Sequence, residues 1–245
     1  MRTTARAEAE RTEHRSCPVP GRGERFARYA MMGLPFSSGH YLALRRFPAN
    51  PFRRSCHSVW HRDPDGTWVF YADTPTFASC TRYFDAAISV ASTADISITW
   101  TGDSRLNIEV GGGLGWNIEL QVTTATVLMT GAGRLMLCVM RDNGVVLAAM
   151  GRAAAPALGA GRVQLAGTAP NGQWFKANPL RICSIADSTA VVHGVDVGPP
   201  GPLPKQTRLA DFWLRGIFSV GETSFEDFDP TRHHAPRPAT KGATR

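Results

Sequence analysis

Two histidines four residues apart, His57 and His61, stand around the stretch Ser58-Val59-Trp60. On a strand, even spacing sends both rings to one face, where they could act as acid–base groups. Joined by His40 or His193 they could also hold a metal. The only acidic side chain close by in sequence is Asp63, so ligands are too few and neither a metal nor a cofactor is expected. A polar outer strand face, or a buried hydrogen-bonded pair, is the plainer reading. Towards the other end, Asp211 and Arg215 flank Phe212-Trp213-Leu214. On a strand they would share a side, as a polar clamp closing an apolar cavity or as an ordinary ion pair. Asp211, His57 and His61 are therefore the candidate catalytic groups.

Other chemistry-bearing residues read as structural. His193 sits among valines, the setting of a satisfied core histidine. Lys176 adjoins Trp174 and Phe175, but without an acidic partner motif it reads as a solvated strand lysine rather than a Schiff-base nucleophile. No Gly-x-Ser-x-Gly elbow and no phosphate-binding P-loop occur. Gly111 to Gly115 joins two strands and opens no helix, so it predicts a hairpin connection.

The elements that must position these groups are clearest between Asp95 and Val122. Ile96, Ile98 and Trp100 alternate with polar residues, as do Leu106, Ile108 and Val110, then Trp116, Ile118, Leu120 and Val122. This period of two predicts three antiparallel strands with one oily and one wet face. Earlier, His40 to Phe47 predicts a strand, and residues 58–62 and 67–71 a hairpin across Asp63-Pro64-Asp65-Gly66. Residues 73–85 read as a loop with one helical turn, and Ile88 to Val90 as a short strand.

From Thr126 the period changes to three and four. Leu128, Met129, Leu135, Met136, Val139 and Met140, then Val146, Leu147 and Met150, predict a helical hairpin over 126–158 that covers the oily sheet face. Strands resume at Arg162 to Leu165, followed by a turn at Pro170-Asn171-Gly172 and a strand from Gln173. Leu180, Ile182 and Ser184 predict the next strand, and Asp187-Ser188-Thr189 a turn. Val191, His193, Val195 and Val197 then share a face, and a last strand pair surrounds Arg215-Gly216. The motifs Asp65-Gly66-Thr67-Trp68 and Asn171-Gly172-Gln173-Trp174 echo one another, which would suit two modules at 38–125 and 160–229 or simple coincidence.

Bulk properties narrow the function classes. The net charge of +7 is uneven: residues 57–231 hold twelve basic against sixteen acidic side chains, and the excess lies towards the ends. A nucleic-acid binder concentrates charge on its folded reading surface, so no nucleic-acid partner is expected. Five widely spaced cysteines without a Cys-x-x-Cys fit reduced thiols and a cytoplasmic location. Residues 1–30 lack the apolar segment of a secretory signal and read as a disordered extension, with Met31 or Met32 an alternative start. Residues 31–229 form the expected β-rich domain and 230–245 a disordered tail. The apolar stretch from Val127 to Met150 is broken by Arg134, Arg141 and Asp142, so no transmembrane segment is expected.

The run Gly194-Val195-Asp196-Val197-Gly198, the Pro/Gly connection through Leu203, and Leu209-Ala210-Asp211-Phe212 with Arg215-Gly216 resemble the lipocalin-like proteins of carotenoid-hydratase type. The resemblance covers residues 190–220, with the hairpin at 58–71 in weaker support. It implies paired β-barrel modules enclosing an isoprenoid or lipid-like substrate; the helical segment at 126–158 lies outside that pattern. The expected fold is mainly β, a β-rich α+β chain with an antiparallel curved sheet or lipocalin-like barrel and a helical hairpin insert. The expected function is binding, with or without conversion, of a small hydrophobic molecule of isoprenoid, lipid or polyketide type in the barrel cavity. Its expected lining is Trp60, Trp68, Phe70, Trp100, Trp174, His193, Trp213 and Arg215. The alternative is a non-catalytic module whose helical hairpin docks on a protein or a membrane surface.

Overall fold

In a computed structural model of the chain, the described residues are 4–15, 21–52, 54–75, 79–84, 87–135, 143–159, 163–201, 208–209, 212–213 and 216–234. In chain order they form α1 (Ala5–Glu13), β1 (Glu24–Pro35), β2 (Tyr41–Ala49), β3 (Cys56–Arg62) and β4 (Trp68–Ala72). After a 3₁₀ turn at Cys80–Tyr83 come β5 (Val90–Thr93), β6 (Ile96–Trp100), β7 (Arg105–Val110), β8 (Leu114–Gln121), α2 (Thr124–Leu135) and α3 (Gly144–Leu158). The chain continues through β9 (Ala166–Thr168), β10 (Trp174–Val192), β11 (Val195–Asp196), β12 (Arg208–Leu209), β13 (Phe212–Trp213) and β14 (Ile217–Phe225).

The main sheet runs β5-β4-β3-β2-β1-β14-β10-β8-β7-β6, and every neighbouring pair is antiparallel except β4 with β5. Strands from both halves of the chain join this one sheet, which curls into a half-barrel. The curl brings Leu42, Leu44 and Val59 of β2 and β3 into the same core as Leu106, Ile108 and Trp116 of β7 and β8. Each such side chain contributes about 1.5–3 kcal/mol on burial. The alternation read between Asp95 and Val122 is thus the wall of the concave core. Trp116 can be buried there because its indole N–H donates to Ser188 Oγ at 2.8 Å.

The helices form, as α2 and α3, but they cover the outer face of the sheet and not the oily face of the meander, which lines the concave core. Two glycines permit close approach: a Cβ on Gly133 would stand 2.5 Å from Pro179 O of β10, and one on Gly151 2.4 Å from Val163 O in the segment before β9. Thr130 Oγ1 accepts the Ile182 backbone N–H at 3.1 Å, tying α2 to β10 where the strand is irregular.

Several expectations are corrected. Residues 5–13 are a helix and 24–30 half of a strand flanked by β2 and β14, not a disordered extension. The α1 composition is mostly Arg and Glu, yet Thr4 caps it and Ala5 and Ala9 pack into the concave core. A chain begun at Met31 would lack half of β1. Asp187-Ser188-Thr189 is not a turn, because β10 runs unbroken to Val192 and absorbs bulges near Pro179 and Ile185. The turn falls instead at His193 and Gly194, both with positive φ, so the supposed shared face of Val191 to Val197 does not exist. Residues 230–234 are a packed turn in which His233 is buried. Among the described residues no helix is long and apolar enough to cross a membrane.

Candidate functional site: a cleft beneath the helical hairpin

The outer face of the sheet is built by strand alternation. On β1, Tyr29 and Met31 turn inward while Phe26, Arg28 and Met32 turn outward. On β14, Phe218 and Val220 turn inward while Ile217, Ser219, Thr223 and Phe225 turn outward. With Arg45 and Phe47 of β2, Trp60 of β3, and Ala177, Pro179 and Ile182 of β10, these outward side chains floor a cleft of about 190 Å³. Met129 and Ala132 of α2, Met150 and Ala154 of α3, and Val163 to Leu165 roof it. Ala132 and Ala153 are exposed and mark its mouth. The lining is apolar apart from a few groups on the floor and Gln164, whose buried Oε1 has no hydrogen-bond partner.

The floor carries two arginines in different states. Arg45 is buried against the Trp60 ring at 4.3 Å and donates to the backbone oxygens of Met31, Leu44 and Met32 at 2.6, 2.9 and 3.1 Å. The β1–β2 register shifts just past Met31, and Arg45 serves carbonyls at that irregularity. Arg28 is 5% exposed, and its partners are neutral: Thr223 Oγ1 at 2.6 Å, Ser219 Oγ at 3.3 Å and Met32 Sδ at 3.9 Å. Burial pushes its guanidinium down to about 10, which leaves it charged at neutral pH. No carboxylate among the described residues pairs with it.

Of the expected lining that falls among the described residues, only Trp60 reaches this cleft. Phe70 stacks behind it at 4.3 Å, and Trp68 meets Phe70 edge-on, so both belong to an aromatic core. Trp100 packs in the concave core against Tyr29 and Phe218. Trp174 is 41% exposed. His193 is exposed in its hairpin turn, where a core histidine was expected. Trp213 falls in β13 but its side chain, like the whole of Asp211 and Arg215, lies outside the described residues.

His57 and His61 do share the inner face of β3, but each has its own partner. His57 Nδ1 meets Asp73 Oδ2 at 2.6 Å. Burial raises the Asp73 carboxyl, and hydrogen bonds from His57 outweigh that and hold it below its usual range. His61 Nε2 faces His40 Nδ1 at 2.8 Å, the rings stacked at 5.0 Å. Burial first, then the His40 charge, pushes His61 down to about 4. Neither pair faces the cleft, and no described cluster of three or more His, Cys, Asp or Glu could hold a metal.

What the sequence reading missed is the polar floor: Arg28, Arg45, Ser219 and Thr223. The available signal was Phe26-x-Arg28-x-Ala30-x-Met32, an outward set with one charge in it, hidden because the intervening residues are apolar too.

No protein-family model and no curated protein matches this sequence. Among solved structures, the chain is similar to an acetoacetate decarboxylase from Legionella pneumophila subsp. pneumophila str. Philadelphia 1. The identity is 8%, the TM-score 0.38, and the match covers 85% of this chain and 86% of that one. The description of the fold as a curled β half-barrel rests on the strand order and register above. That is also as far as the lipocalin-like likeness extends, and nothing found bears on carotenoid-hydratase chemistry.

Proposed function

We propose that the protein binds a small, largely apolar molecule in the cleft between the helical hairpin and the outer face of the half-barrel. The observation that carries this reading is the cleft itself: an apolar space of about 190 Å³ where a cover that served only stability would be packed. Its position differs from the barrel interior first expected. The size suits a guest of about one ring, since a cavity of about 150 Å³ holds benzene. An extended isoprenoid is too large to be enclosed there. We assign no chemical step to the site.

Native mass spectrometry of the protein as isolated tests this reading, alongside Ala154→Phe, which places a ring in the roof. A retained small molecule that the variant loses supports it. Absence of any adduct, with no uptake of small apolar probes by the wild type, contradicts it.

A docking role has one observation in its favour: Leu128, Leu135 and Val145 on the hairpin are 63%, 84% and 79% exposed. Sedimentation with lipid vesicles, comparing the wild type with Leu128→Lys/Val145→Lys, tests the membrane form of that role. Loss of sedimentation in the variant supports it, and failure of the wild type to sediment contradicts it.

A further inference from the structure

We infer that the guest is a compact aryl monocarboxylate, benzoate-sized, and that Arg28 is the residue that reads its charge; this deepens the proposed ligand role of the cleft and rests on it. Of the arginines that line the cleft, Arg28 and Arg45, Arg28 stands apart; Arg181, also buried without an ion pair to a described carboxylate, does not line it. Arg46 is matched by the Glu13 carboxylate through two contacts of 2.8 and 2.6 Å. Arg45 has backbone carbonyls on Nη1 and Nη2. Arg28 spends Nε on Thr223 and Nη1 on Ser219 and Met32, and the described residues give Nη2 no acceptor. A cation taken out of water without an anion is costly, and a carboxylate entering from the cleft supplies the missing charge with the planar geometry a guanidinium matches.

The walls specify the rest of the guest. Trp60, Phe47 and Phe225 give flat apolar surface, and the thioethers of Met129 and Met150 suit the edge of a ring. One uncompensated cation calls for one negative charge. A phosphate dianion would leave its second charge in an apolar cleft, so a carboxylate fits better.

Calorimetric titration with benzoate and with benzyl alcohol, a neutral probe of similar size, tests the inference. The proteins are the wild type, Arg28→Met and Arg28→Lys. The wild type is expected to bind benzoate at least about tenfold more tightly than benzyl alcohol. Arg28→Met should weaken benzoate by at least about 30-fold while leaving benzyl alcohol unchanged or tighter, and Arg28→Lys should fall between. Equal binding of the two probes, or benzoate binding indifferent to Arg28→Met, overturns the role of Arg28 while leaving the cleft a ligand site. Binding of neither probe to the wild type overturns both the inference and the ligand role. If Arg28→Met does not fold, the preference between probes on the wild type, and its size in Arg28→Lys, decides.

Discussion

The Arg28 guanidinium donates to the Thr223 hydroxyl at 2.6 Å, from β1 to the neighbouring β14, and no carboxylate among the described residues faces it. A buried charge supported only by hydroxyls and a thioether lowers stability relative to an apolar residue of the same length. Arg28→Met is therefore expected to raise the unfolding free energy by about 1–3 kcal/mol. Denaturant unfolding measures this. A loss of similar size would mean that Arg28 holds β1 to β14 rather than awaiting a ligand.

The N-terminal helix is tied to the concave face by Glu13, which accepts from Tyr29 at 2.8 Å and from Arg46. Burial raises the Glu13 carboxyl, and Arg46 and Tyr29 together still hold it below its usual range. Glu13→Gln should cost about 1–3 kcal/mol, because Arg46 loses its anion and already has Nη1 unsatisfied. Limited proteolysis should then cut within residues 4–15 faster than in the wild type. Unchanged protection would show that the remaining ties, the packing of Ala5 and Ala9 and the ion pairs of Glu8 with Arg134 and of Arg15 with Glu222, hold the helix without Glu13.

The two helical glycines of α2 make opposite predictions. Gly133→Ala drives a methyl against the Pro179 carbonyl and should cost about 1–3 kcal/mol, lifting the roof of the cleft. Gly131→Ala meets nothing within 4 Å and should stabilise by about 0.5–1 kcal/mol. Thermal unfolding of both separates close approach from helix propensity, and equal effects would contradict the packing described.

The His40–His61 pair sets an acid limb to stability. Burial first, then the charge of His40 for His61 and the charge of His193 for both, lowers the two imidazoles, and Asp63 opposes this. For His61, folding depresses the pKa from 6.5 to about 4, so the unfolded chain takes up a proton first as pH falls. Stability from this pair is complete above about pH 6.5 and is lost between there and about pH 4. The loss is about 1–2 kcal/mol after allowing for solvent beside the half-buried His40. His61→Gln should flatten that limb in unfolding measured from pH 7 to pH 4. The same slope in the variant would place the acid sensitivity elsewhere.

The meander from Ile96 to Gln121 was legible because only one face of each of its strands is buried, so hydropathy alternates. β1 is buried on both faces, one by the concave core and one by the cleft, and its sequence shows no alternation at all. Reading it as part of a polar extension hid Arg28, and with it the polar end of the site. Trp60 was legible as a large ring on a hairpin. Its neighbours Trp68 and Phe70 belong to the same hairpin but fall outside the cleft, since spacing along a strand fixes a face and not what covers it. The pairing of His57 with Asp73 and of His61 with His40 depends on strand register, which even spacing on β3 alone does not specify.

The most direct measurement is a crystal of the protein soaked with para-bromobenzoate, located by the anomalous signal of bromine. The ring is expected between Met129, Met150 and Phe225, with its carboxylate on the Arg28 guanidinium. An empty cleft at saturating probe, or bromine bound only elsewhere on the molecule, would contradict the account.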